Sequence, residues 1–149
     1  MSEVIIKTGK GNMDIRMIHR FLKEDSYWAK GISYEWVDQS LAHSFCIGAF
    51  VKGEQVGFGR VITDYYTFGW FADFFVLPGY RGKGISKKML SSILDEPWCK
   101  RLRRKMLNTN DAHGLYRQFQ FKDLANPSNV MEIHNLTIYL QYKGEIDSV

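Results

Sequence analysis

Apolar positions along the chain change period several times, and each change marks an element. Val4-Ile5-Ile6-Lys7 reads as a short first strand, closed by Gly9 and Gly11. From Asp14 to Lys23 the residues Ile15, Ile18, Phe21 and Leu22 recur at helical spacing, with Asn12 or Asp14 as the cap. An aromatic loop follows, carrying Tyr27, Trp28, Tyr34 and Trp36, and Ser33 is placed to cap a second short helix to about Leu41. Phe45 to Val51 and Gln55 to Ile62 are two strands joined at Lys52-Gly53-Glu54, a hairpin. Asp64 marks a further turn, and Thr67 to Leu77 returns as a third antiparallel strand. Its last residues, Phe74 to Leu77, form a continuous apolar run suited to burial on both faces. After Pro78-Gly79 the period becomes helical. Ile85, Met89, Leu90, Ile93 and Leu94 share one face, while Lys87, Lys88, Ser91, Ser92 and Asp95 share the other, until Glu96-Pro97 ends the helix. Lys105-Met106-Leu107 reads as a strand and Asp111 to Gln118 as a short helix. Ile133 to Tyr142, with Leu136, Ile138 and Leu140 alternating, reads as the last strand. The order is β-α-α-β-β-β-α-β-α-β, a mixed α+β domain built on one central sheet.

Bulk properties narrow this picture. The 149 residues are expected to form one domain, 1–149, with 45% hydrophobic and 24% charged residues. The net charge of +4 suits an anionic ligand without demanding nucleic acid. Lys100, Arg101, Arg103, Arg104 and Lys105 form a basic run that reads as a solvated edge, and no nucleic-acid module accompanies it. Cys46 and Cys99 have no metal-type spacing. No apolar signal core opens the chain and no stretch is long enough to span a membrane, so a cytoplasmic protein is expected.

The chemistry concentrates at Arg81-Gly82-Lys83-Gly84-Ile85-Ser86-Lys87, between the third antiparallel strand and the following helix. Two glycines bare the first N–H groups of that helix. A bare helix N-terminus attracts anions, and Arg81, Lys83 and Lys87 add positive charge. A phosphate-bearing ligand is the first inference. A P-loop would place lysine where Ile85 stands, so that frame fails. A dinucleotide fingerprint would place its third glycine where Lys87 stands, and the strand before it opens no βαβ unit.

The same residues resemble the Gln/Arg-x-x-Gly-x-Gly/Ala signature of the GNAT superfamily, the Gcn5-related N-acetyltransferases. Asp73-Phe74-Phe75-Val76 before it resembles that family's fourth strand. Asp111-Ala112-His113-Gly114-Leu115-Tyr116, continuing through Phe119-Gln120-Phe121, resembles its second conserved block. Departures are Ser86 in place of Gly or Ala, Thr109 in place of a frequent asparagine, and Gln120 in place of glycine. The resemblance implies a mostly antiparallel central sheet with helices on both faces, and acetyl-CoA as co-substrate without a metal.

It further implies that Gly82, Lys83, Gly84, Ile85, Ser86 and Lys87, with Arg81, hold the CoA pyrophosphate, with Thr109 beside them. Phe74, Phe75 and Val76 would pair with the pantetheine arm as an added strand does, and the Val76 N–H would polarise the thioester carbonyl. Tyr116 is the expected general acid toward the departing thiolate. Asp73 is the leading candidate for the base, with Glu35, Asp64 and His113 also open. Tyr34, Glu35 and Trp36 would border the acceptor, since aromatics beside a carboxylate suit a cationic amine. The implied reaction is transfer of an acetyl group to a primary amine, a small molecule being favoured, by direct attack in a ternary complex. A non-catalytic acyl-CoA sensor or assembly subunit is the alternative. A homodimer is compatible with the chain, dimers being the commonest soluble oligomers.

Overall fold

The structure, a computed structural model, describes residues 2–141. Strand β1 (Val4–Thr8) leads through a 3-10 turn to α1 (Ile15–Arg20), which runs on into a π-helical turn over Phe21–Asp25. Asp14 caps α1 by accepting from the Met17 N–H, and Ser33 caps α2 (Tyr34–Ala42) by accepting from the Trp36 N–H. Both caps satisfy N–H groups that a helix leaves bare at its start. Then come β2 (Phe45–Val51), β3 (Glu54–Thr63) and β4 (Phe68–Val76). The β2–β3 hairpin turns on Lys52 and Gly53, both at positive φ, 52° and 81°. Such primed turns match the right-handed twist of the strands they join. Helices α3 (Ile85–Leu94) and α4 (Pro97–Lys100) carry the chain to β5 (Arg104–Leu107) and α5 (His113–Arg117).

The sheet runs in the order β1-β2-β3-β4-β5. Its first three pairings are antiparallel and β4–β5 is parallel, with α3 in the crossover. Helices cover both faces. On one face Ile85, Met89, Leu90 and Ile93 of α3 are buried against Ile47, Ala49, Val61 and Phe71. These are the apolar helix positions that the period singles out. On the other face Met17, Ile18, Phe21, Val37 and Leu41 of the α1–α2 layer pack on Cys46, Phe50, Phe58 and Phe75. Phe21 stacks on Phe75 at a centroid distance of 3.9 Å. No helix among the described residues is long and apolar enough to cross a membrane.

Strand β4 is interrupted. Phe75 pairs with Phe58 and Ala72 with Arg60, so Asp73 and Phe74 together face Gly59 alone. This is a β-bulge, and Asp73 takes φ +60° within it. Gly59 is required there because a Cβ would enter the Phe74 ring.

The expected last strand is corrected by the structure. No strand forms over residues 133–141, and Ile138–Gln141 is a short helix, α6. Tyr142 lies outside the described residues. Alternation prepares a segment to pair, but a strand also needs a neighbouring edge for its backbone groups, and this segment meets none among the described residues.

Replacing Gly59 by alanine is expected to push Phe74 out of place at a cost of about 1–3 kcal/mol, the usual range for overpacking. Urea unfolding followed by circular dichroism reads this as a lower midpoint with an unchanged slope. An unchanged midpoint would show that the bulge tolerates a side chain there.

Candidate active site

The bulge opens a cleft. The β4–β5 ladder runs only from Phe68–Arg104 to Phe71–Leu107. Beyond it, on the side away from β3, residues 72–76 pair with no strand among the described residues. Leu77 donates its N–H to Val56 on β3, and successive N–H groups alternate sides, so the Val76 N–H points into the cleft. The Val76 carbonyl points the same way and accepts from Arg81 Nε at 2.9 Å.

At the cleft's far end stands the N-terminus of α3. Gly82 and Gly84 have φ of +76° and +77°, and Gly84 caps the helix with no side-chain bond. That backbone conformation favours glycine. A Cβ at either position would meet nothing within 4 Å, so the space over the helix start is open. A cavity of about 220 Å³ lies here, lined by Val76, Tyr80, Arg81, Gly82 and the first turn of α3. Leu115 of α5 closes it. The two sequence motifs therefore meet at one cavity. Lys87 lines it and is exposed, as are Arg81 and Lys83. These groups fit a pyrophosphate: bare N–H donors, a helix dipole and exposed cations around open space.

Tyr116, one residue after Leu115, is buried to 8% exposure and packs edge-to-face on Phe121. Its hydroxyl makes no hydrogen bond among the described residues. Burial, with Tyr27 and Asp111 nearby, pushes its pKa up to about 12. Tyr27 reaches across from the α1–α2 loop, and its hydroxyl accepts from the Asn110 N–H at 3.1 Å. Trp28, beside it in the chain, packs edge-to-face on the Tyr27 ring. The Thr109 hydroxyl accepts from the Ala112 N–H at 3.0 Å and shapes the start of α5.

Asp73 lies on the face opposite Phe74 and Val76, where alternation places it. Its side chain is 11% exposed and both oxygens are engaged. Oδ2 accepts from Arg60 Nε at 2.6 Å and Oδ1 from Trp28 Nε1 at 2.7 Å. Arg60 also donates to the Ser44 hydroxyl at 2.9 Å. Trp36 connects to this group through Tyr139, whose ring it meets edge-to-face at 5.9 Å. Burial and the Asp73 charge raise the Tyr139 pKa. Tyr34 instead packs on His19, and Glu35 is exposed in the first turn of α2. Asp64 is fully exposed and accepts from Tyr66, Thr67 and Phe68 in its turn, which holds its carboxyl well below the usual range. His113 is exposed. Tyr27 and Trp28 bond across to Asn110 and Asp73, whereas Tyr34 and Glu35 stay on the α1–α2 layer. The sequence signal for them was the aromatic loop itself, with nothing local to rank its members.

A larger cavity of about 490 Å³ lies between α1 and the β2–β3 hairpin. Gln55 there accepts from the Asp14 N–H and donates to the Gly57 carbonyl, so its polar groups are satisfied. It touches neither motif.

A family model for the acetyltransferase (GNAT) domain matches residues 42–123, more than half of the chain. The chain belongs to the GNAT acetyltransferase family. A Gibberella zeae relative named "Putative acetyltransferase FG08082" is 30% identical, with 76% of each chain covered. The crystal structure of xcc2953 from Xanthomonas campestris pv. campestris, described as belonging to the GNAT family, superposes with a TM-score of 0.90. It is 42% identical, over 93% of this chain and 98% of that one. A Clostridium acetobutylicum structure solved with acetyl-CoA shares the fold at a TM-score of 0.66 and 13% identity, over 89% of this chain and 96% of that one. As a GNAT acetyltransferase, the protein is an acyl-CoA-dependent enzyme. Neither cysteine has the setting of a nucleophile: both are buried, and burial raises both thiols, Cys46 to about 11.

The raised Tyr116 pKa has a thermodynamic sign. The folded state holds this proton more tightly than the unfolded state, where tyrosine titrates near pH 10. The stability this supplies is complete below about pH 10. It is lost as pH rises toward about 12. Tyr116→Phe is therefore expected to flatten the fall in unfolding free energy over that window, measured by urea titrations at stepped pH. A fall as steep as in the unsubstituted chain would contradict the shift.

Proposed function

We propose that this GNAT enzyme transfers the acetyl group of acetyl-CoA to the primary amine of a small molecule, by direct attack within a ternary complex. The observation that carries the reading is the meeting of both motifs at one cavity: the bare start of α3 and Leu115, the neighbour of Tyr116, line it together. Gly82 to Lys87 and Arg81 hold the pyrophosphate. The outward edge of Phe74 to Val76 receives the pantetheine arm as an added strand would. Acetyl-CoA, when bound, supplies an activated thioester.

The Val76 N–H donates to the thioester carbonyl oxygen as negative charge develops there. The amine nitrogen forms the new C–N bond, the C–S bond breaks, and its electron pair stays on sulfur. Tyr116 donates a hydrogen bond to that sulfur. Its pKa of about 12 lies well above the roughly 8.5 of a thiol. Full proton transfer from Tyr116 is uphill, so a hydrogen bond to the thiolate is the larger contribution. The ammonium proton leaves through water. Asp73 is a positioning residue in this reading: its oxygens already accept from Arg60 and Trp28. Tyr27 and Trp28, 52% and 39% exposed, offer aromatic surface to the cationic acceptor.

Free-thiol release with acetyl-CoA and a panel of small amines tests the reading, and absence of turnover on every amine would defeat it. Tyr116→Phe is expected to lower kcat roughly 10- to 100-fold, the value of a hydrogen bond to a charged group, with KM for acetyl-CoA little changed. An unchanged kcat removes Tyr116 from the chemistry. Asp73→Asn is expected to reduce kcat while keeping the acid limb of the pH profile, because deprotonation of the acceptor amine sets that limb. Loss of that limb would return Asp73 to the role of base.

A further inference from the structure

In the sequence, Lys100, Arg101, Arg103, Arg104 and Lys105 read as a solvated edge. The fold gives this run an aromatic companion from another part of the chain. With the five cations set aside, the net charge of +4 becomes −1, so the chain's whole excess of positive charge lies in this one run. None of the five enters an ion pair among the described residues. Lys100, Arg101, Arg103 and Arg104 are exposed. Leu102, between them, is 5% exposed and packs in the core beside Gly69, where a Cβ would come within 3.0 Å of it. That anchor fixes the corner between α4 and β5 and leaves its charged neighbours in solvent.

The companion is the turn between β3 and β4. Asp64 accepts from the Tyr66, Thr67 and Phe68 N–H groups and from the Thr67 hydroxyl. The Thr63 hydroxyl donates to the Phe68 carbonyl and accepts from the Tyr65 N–H. These bonds hold Tyr65 at φ +68° and present Tyr66 67% exposed. The turn is tied to the basic run at two points. Arg101 Nε donates to the Tyr65 carbonyl at 3.0 Å, and the Arg101 guanidinium lies over the Tyr66 ring, 4.1 Å from its centroid. Behind them Tyr65 packs edge-to-face on Trp98, and Trp98 tilts against Phe45. The result is a braced, exposed ring beside a row of unpaired cations. At roughly 3.3 Å per residue, β4 carries the chain about 25 Å from this turn to Val76 at the cavity over α3.

We propose that this surface binds single-stranded nucleic acid, with phosphates on Lys100, Arg103 and Arg104 and a base stacked on Tyr66. Cations alone would suit any polyanion, and the ring is what selects among them. A base has a flat π face that an acidic peptide lacks, and stacking on an aromatic side chain accepts any base. Arg101 braces the ring from one side and adds its charge to the same contact. A duplex fits less well, because its bases are already stacked on one another. Reading its grooves takes a helix or a two-stranded ribbon, and the elements here are the four-residue α4 and a turn. Phosphates held by these cations release counterions, so the binding weakens with salt. The surface lies at the opposite end of β4 from the proposed acetyl-CoA site, and this inference is independent of the acceptor proposed above.

Fluorescence anisotropy of the full chain with a labelled, mixed-sequence single-stranded RNA of about 12 nucleotides tests it. Three phosphate contacts predict an affinity that falls roughly 20-fold between about 50 and 200 mM salt. Tyr66→Ala is expected to weaken binding roughly 5- to 100-fold, the worth of one stacked base, with the salt dependence kept. A variant carrying Lys100→Gln, Arg103→Gln and Arg104→Gln is expected to bind weakly and to lose most of the salt dependence. All four positions are exposed, and circular dichroism verifies the fold of each variant. An RNA duplex of the same length and a polyglutamate peptide are expected to bind more weakly than the single strand. No binding of the single strand at about 50 mM salt, equal binding of the duplex or the peptide, or full binding by Tyr66→Ala would each overturn the proposal. The readout requires no acetyl transfer, so it stands or falls apart from the reaction proposed above.

Discussion

The cleft depends on one local distortion, the bulge that sets Asp73 and Phe74 against Gly59. A non-glycine residue at φ +60° costs about 1–3 kcal/mol and persists only where its surroundings hold it. Here the holding groups are Arg60 and Trp28, which bond the two carboxylate oxygens at 2.6 and 2.7 Å. Charge-assisted hydrogen bonds to a largely buried carboxylate are strong enough to offset strain of that size. The stacking of Phe21 on Phe75 clamps the next residues of β4 from the same side. With β4 kinked, its ladder to β5 stops at Phe71, and on that side the backbone of 72–76 is left without a strand partner among the described residues.

The donors that follow are spread over separated segments. In the proposed reaction, anion binding falls to the start of α3, where dipole and bare N–H groups coincide. Hydrogen bonding to the leaving sulfur falls to α5, where burial pushes the Tyr116 pKa up to about 12. Tyr27 links the aromatic loop to the entry of α5 by its bond to Asn110. A carboxylate that looks free in the sequence accepts in the fold from both Arg60 and Trp28.

Much of this was legible in the sequence because it is local. The period of α3 names its buried face from Ile85 to Ile93. Ser33 and Asp14 cap the helices that they precede, and the need for positive φ explains glycine at positions 82 and 84. The order of elements through α5, the short α4 excepted, follows from such signals. Other features required partners far along the chain. Asp73 finds Arg60 and Trp28 at separations of 13 and 45 residues, and Tyr27 finds Asn110 at 83. The alternation of Leu136, Ile138 and Leu140 is a strand pattern that pairs with no strand among the described residues. Periodicity and backbone φ are properties of neighbours in sequence. Whether a carboxylate is free, or a strand is paired, depends on which distant groups the tertiary structure brings within hydrogen-bond reach.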